Sequence, residues 1–190
     1  EWKKYRSEVI FNVGVSQFLG DLGGRDQEGT QLSPADLEFA KTRPAITIGY
    51  RRKFAKVFNI SGSLNHLHVA GDDKLTNEVY RNNRNLNFKS NIFEVAVRTE
   101  VSLYKGKIGS RYSLKSISGH RRPLKWELIA FVGVGGFYFN PKGKNPVTGE
   151  WVKLHPLRTE GQGLPGAPAP YKKIAVSVPF GLQWRVLINK

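Results

Sequence analysis

Between Lys172 and Val186 the chain reads KKIAVSVPFGLQWRV. Ile174, Val176, Val178, Phe180, Leu182, Trp184 and Val186 hold every second position, with Ala175, Ser177, Pro179, Gly181, Gln183 and Arg185 between them. Successive side chains of a strand point to opposite faces, so this pattern predicts a strand with one apolar face and one small, polar face. A tilted strand crosses a bilayer with roughly 9–11 residues, a length this stretch supplies. Whether that apolar face meets a protein core or lipid decides what the rest of the chain can be.

Five further features narrow the choice. The 190 residues suit one domain, 1–190, with enough chain to bury a sizeable core. No run of about 18 apolar residues is present, so no helix is expected to span a membrane. A mean hydropathy of −0.40 would suit a soluble protein, yet membrane barrels alternate and escape such averages. Cysteine is absent, which removes disulfides, thiol catalysis and thiolate metal sites together. Methionine is absent too, even at position 1, as expected of a processed product or a fragment.

The same alternation recurs along the chain. Val9, Phe11, Val13 and Val15 predict a first strand; Ile46, Ile48 and Tyr50 a second. After a tight turn at 51–57, Phe58, Ile60, Gly62 and Leu64 oppose Asn59, Ser61, Ser63 and Asn65 in a third. Phe93, Val95, Val97, Thr99 and Val101 mark a fourth, and Leu128, Ala130, Val132, Val134 and Tyr138 a fifth between Trp126 and Phe139. The stretch at 172–186 is the sixth. Long polar loops at 20–42, 71–87 and 140–171 alternate with shorter connections, and one helical turn is expected after Ser33-Pro34. The expected fold is all-β, a small up-and-down antiparallel transmembrane β-barrel. Outer-membrane barrels have an even number of at least eight strands, so two strands are expected beyond Lys190.

A lipocalin-like soluble carrier would also show one apolar face. Against it, the expected inner face carries Gly, Ser, Asn and charge, a poor lining for an apolar ligand. Trp126 and Trp184 fall at one end of their strands and Tyr138 at the other, as interfacial girdles require.

The segments FLGDLGG (18–24), TRPAITIGYR (42–51), GDDKLTNEVYRNNRNLNFKSNIFEVAV (71–97), GVGGFYFNPKG (133–143) and WVKLHPLRTEGQGLPG (151–166) occur in this order. Together they closely resemble the PorG family of the Bacteroidetes type IX secretion system. The resemblance implies an outer-membrane barrel of about eight strands that associates with a periplasmic ring of PorK- and PorN-like subunits. It implies further strands after Lys190, and no enzymatic activity, cofactor or small-molecule substrate. The N-terminus is placed in the periplasm.

The net charge of +15 is unevenly spread. Arg51, Arg52, Lys53 and Lys56 crowd the first turn, and Lys105, Lys107, Arg111, Lys115, Arg121, Arg122 and Lys125 fill 102–125, which contains no acid. With Lys3, Lys4 and Arg6, these residues lie at the expected periplasmic end. The loops at the other end nearly cancel. Such a basic end can anchor at lipid headgroups or dock an acidic periplasmic partner; these eleven residues of the two turns are the expected partner-binding set. Lipopolysaccharide is the expected neighbour of the outer loops. Nucleic acid would accept the charge, but the aromatics lie on apolar strand faces rather than among the basic residues.

Catalytic and metal chemistry is not indicated. His66 and His68 share one side of a strand but lack further ligands, and Ser63, the nearest nucleophile, faces the other way. An outer-membrane lipid-modifying enzyme would need such a pair. Asp72, Asp73, Asn77 and Glu78 lack the spacing of a calcium loop. One inward cluster stands out: Glu8, Arg51, Arg98, Glu100, Glu127 and Arg185 are expected at one depth, near the periplasmic mouth. Lone buried charges are costly, so these should pair as a structural plug.

Overall fold

Alternation dictates the architecture, because strands with one apolar face bury their polar rows only by pairing side by side and curling. The computed structural model describes residues 6–20, 22, 39–75, 79–108, 124–159, 161–163, 165–167 and 169–187. The chain is all-β, with nine strands in one antiparallel up-and-down sheet. They are β1 (Ser7–Ser16), β2 (Arg43–Lys53), β3 (Phe58–Asp72), β4 (Asn87–Ile108), β5 (Leu124–Phe139), β6 (Lys142–Lys144), β7 (Trp151–Lys153), β8 (Ile174–Ser177) and β9 (Phe180–Leu187). Two short helices, α1 (Val79–Arg84) and α2 (Leu154–Leu157), lie in connections.

Strands β1 to β5 follow one another across the sheet, and β8 and β9 both pair with β5. Their register is continuous, from Tyr138 opposite Ile174 to Lys125 opposite Leu187. Pro179 has no N–H and so interrupts the ladder, although its carbonyl still accepts from Gly133 N at 2.8 Å. The stretch at 172–186 is therefore one stave with a proline in it, at the sheet edge where proline is tolerated.

Two expected boundaries are corrected. Strand β4 begins at Asn87 and runs on to Ile108, past a register shift between Ser102 and Tyr104. Its pairing with β3 ends at Phe58 opposite Val101, whereas its pairing with β5 continues to Ile108 opposite Leu124. The β4–β5 hairpin thus extends beyond β3 by roughly 20 Å at about 3.3 Å per residue, while β9 stays paired with β5 as far as Lys125. Residues 102–108 and 124–125, expected in a long turn, belong to this ladder. The polar connection at 140–171 is also not all loop, since it holds the β6–β7 hairpin and α2. The helical turn expected after Ser33-Pro34 falls outside the described residues.

The sheet is curled. Between β1 and β9 lie five strand spacings, which in a flat sheet is roughly 24 Å at about 4.8 Å each. Yet Arg185 of β9 contacts Glu8 of β1 at 2.8 Å, and Arg51 of β2 donates to Gln183 of β9 at 2.9 Å. The first and last staves therefore face each other across the interior through side chains. Their backbones do not pair among the described residues, so the ladder is open.

Burial is inverted relative to a water-soluble fold. Among the described residues the buried hydrophobics are Val69, Ala70, Ala96 and Ile129 alone. Buried polar residues include Arg51, Asn59, Ser61, Ser63, Glu100 and Glu127. The apolar row of β8–β9 stands on the outer face, with Phe180 80% exposed, and so does that of β1, with Val9 83% exposed.

Inward glycines permit the tight curl. A Cβ at Gly133 would lie 2.2 Å from the Val97 carbonyl and 2.8 Å from Arg98 Cγ. Gly133→Ala should therefore cost about 1–3 kcal/mol, the usual range for overpacking. Gly62→Ala, which meets nothing within 4 Å, should stay within about 0.5 kcal/mol. Unfolding midpoints in denaturant compare the two directly.

Candidate functional site

The inward polar row converges at the end where β2 turns into β3. Strand register puts Glu8 opposite Arg51, Arg51 opposite Ser61, Asn59 opposite Glu100 and Glu127 opposite Arg185. Curling then joins these cross-strand pairs into one network. Arg51 contacts Glu8 at 3.2 Å and donates from Nη2 to Glu100 Oε1 at 3.1 Å, and Ser61 Oγ donates to the same Glu100 oxygen at 2.6 Å. Arg185 donates from Nη1 to Glu8 at 2.8 Å and pairs with Glu127, which also accepts from Ser102. Lys53 pairs with Glu8, and Lys105 with Glu127 at 3.2 Å.

Arg51 and Glu100 are 4% and 1% exposed, so both are withdrawn from water. Their attraction mainly offsets desolvation. Such a pair is a strong requirement on geometry and a weak source of net stability. The network closes the interior at this end with charge rather than with apolar side chains.

Of the six residues expected in the plug, five meet: Glu8, Arg51, Glu100, Glu127 and Arg185. Arg98 does not. Its guanidinium lies 5.2 Å from the centroid of the Phe131 ring and has no carboxylate partner among the described residues. Glu100 is already held by Arg51 and Ser61, and Phe131, opposite Glu100 on β5, offers Arg98 its π face instead. Lys53, Ser61, Ser102 and Gln183 complete the network without having been expected in the plug. Inward parity at Lys53, two residues after Arg51, was the available signal.

The expected partner-binding set divides. Arg51 is corrected: it is buried in the plug and cannot reach a partner. Lys53 is half-buried on Glu8. Arg52, Lys56, Lys105 and Lys125 are exposed at this end. Lys107 lies in the β4 overhang, and Arg111, Lys115, Arg121 and Arg122 lie outside the described residues.

Beside the network is a cavity of about 250 Å³ lined by Lys53, Lys56, Asn59, Lys105, Lys125 and Trp126, among others. At the other end, His66 stacks on Phe93 with ring centroids 4.7 Å apart, and His68 Nδ1 lies 2.6 Å from Asn91 Oδ1. No group of three or more potential metal ligands occurs among the described residues. Asp73 is buried, held by Arg84 Nε at 2.8 Å and Leu86 N at 3.2 Å, and Asp72 pairs with Lys41 at 3.0 Å. Asn77 and Glu78 lie outside the described residues. These side chains are engaged as structural ties.

No protein-family model, no curated protein and no solved structure matches the chain. The functional reading therefore rests on geometry and sequence.

Removing one partner of the buried pair strands the other. Arg51→Met should destabilise by about 3–5 kcal/mol, whereas Arg51→Met with Glu100→Leu should recover most of that loss. Denaturant unfolding of the two variants beside the parent is the measurement, and equal losses would refute a coupled pair.

Proposed function

We propose that this chain is a small outer-membrane β-barrel that anchors the periplasmic ring of a protein secretion machine, by binding and without catalysis. The observation that carries the membrane reading is the inverted burial. The outer face presents apolar rows from β1, β2, β3, β4, β5 and β8–β9, while the inner face buries serine, asparagine and paired charge. Water would oppose both choices, and lipid outside a polar interior favours both.

Aromatic placement supports the same reading. Trp126 lies 5.1 Å from Tyr104 and 5.6 Å from Trp184 between ring centroids, a cluster at the end that carries the charge network. Such a cluster suits a membrane–water interface. The curl and the Glu8–Arg185 bridge support a barrel whose closure requires backbone partners for both edges. An interior filled by its own side chains favours an anchor over a conducting pore. A lipocalin-like carrier is disfavoured by the polar lining.

The sequence segments that resemble the PorG family support the secretion-system part of the reading, with PorK- and PorN-like subunits as the ring. Basic excess at one end supports docking of an acidic partner there. On this reading the N-terminus and the β4–β5 overhang are periplasmic, and the loops at the far end face lipopolysaccharide.

Two experiments test the two halves. The purified chain should need detergent to stay monodisperse; a monodisperse sample without detergent would sink the membrane reading. Pull-down from native outer membranes should bring the ring subunits with it. Reversing charge at Arg111, Lys115, Arg121 and Arg122 should release them at physiological salt while the barrel stays folded. Retention of the ring by that variant would remove the docking role from this segment.

A further inference from the structure

The cavity beside the charge network lies between the β2–β3 turn and the part of the β4–β5 hairpin that extends beyond β3. Its cations differ in how they are matched. Lys53 is held by Glu8, and Lys105 and Arg185 by Glu127. Lys56 and Lys125 also line the cavity, and their ammonium groups have no carboxylate partner among the described residues. Three carboxylates, Glu8, Glu100 and Glu127, are already shared among four bases. Among the described residues no further acid lines this cavity to neutralise the two remaining lysines.

The second observation is Asn59. It lines the same cavity and is 3% exposed, yet its side-chain amide has no hydrogen-bond partner among the described residues. Its polar atoms are not among the described side-chain atoms sealed from solvent without a partner, so the amide meets the water of the cavity and stays free to bond a ligand. An amide of this kind at the wall of a cationic cavity is a donor awaiting an acceptor. Trp126 gives the cavity an apolar wall, so a bound group would be partly shielded from water and its ion pairs strengthened.

We propose that this cavity is a receptor for the carboxylate side chains of an acidic polypeptide segment, with Lys56 and Lys125 as the charge partners and Asn59 as the orienting donor. The proposal rests on the docking reading above and names its chemistry. A carboxylate fits better than a phosphate dianion, since Glu127 already occupies one wall and repels the larger charge. Two unmatched ammonium groups suit two carboxylates on neighbouring residues of the segment.

The test uses the purified full chain in detergent and a synthetic hexaglutamate peptide, titrated calorimetrically. Binding should occur at low salt and weaken as ionic strength rises. Asn59→Ala should weaken it about tenfold, the worth of a hydrogen bond to a charged group. Lys56→Glu with Lys125→Glu, both at exposed positions that leave the fold intact, should weaken it beyond tenfold. Several results would overturn the assignment: no binding of the peptide at low salt; an Asn59→Ala variant that binds as the parent does; inorganic phosphate binding as tightly as the peptide, which marks a small-anion site; or anionic lipid vesicles competing the peptide away, which marks a headgroup site. Peptide binding that persists while pull-down brings no ring subunits would refute the ring and leave the acidic-segment receptor standing.

Discussion

The contact on which the structure turns is the buried meeting of Arg51 with Glu100, tied through Glu8 to Arg185. Each of these groups would be very costly inside a protein if left alone. They come from β1, β2, β4 and β9, so no two neighbouring strands can satisfy them. Only a sheet curled until its first and last staves face each other brings the four together. The small inward residues allow this approach: Gly133 lets β5 close on β4, and Ser61 leaves room for Arg51 to reach past β3 to Glu100.

Once the polar row is turned inward, the outer face follows without further choice. Parity on each strand places Phe11, Ile48, Leu64, Val97, Val134 and Phe180 outside. A water-soluble sheet would turn that row against a second layer. Here no second layer exists among the described residues, and the described hydrophobic core amounts to four small or medium side chains. The environment rather than the protein has to supply the partner for that surface. The membrane reading proposed above rests on this surface, since the alternation at 174–186 meets no packed core among the described residues.

Much of this was legible because a strand's period of two is strict. Parity alone assigned Glu8, Arg51, Glu100, Glu127 and Arg185 to one face and one depth, and Trp126 and Trp184 to one end. What parity does not contain is the choice among partners at that depth. Arg98 had the right face, but Ser61 and Arg51 took Glu100 first and Phe131 offered an alternative. Strand ends were illegible for another reason. The β4–β5 overhang carries Lys105, Lys107 and Lys125 with little apolar alternation, because a hairpin projecting into water needs no apolar row. Arg51 illustrates both effects, since its place in a basic turn suggested a partner surface while its inward parity took it into the plug.

The division between matched and unmatched cations has a physical consequence at the mouth. Glu8, Glu100 and Glu127 hold Arg51, Lys53, Lys105 and Arg185, so the plug itself is close to balanced. Lys56 and Lys125 are added where no further acid stands among the described residues, and the plug does not cancel their field. On the proposed membrane reading, a low-dielectric surround on the outer face would confine that field and direct it out through the aqueous end. Charge in the plug therefore ties β1, β2, β4, β5 and β9 together, whereas charge at the rim is the part that the proposed docking would use. The rim lysines take no part in the buried pairs, so on the docking proposal a reversal confined to the rim would alter encounter with an acidic partner while leaving those pairs in place.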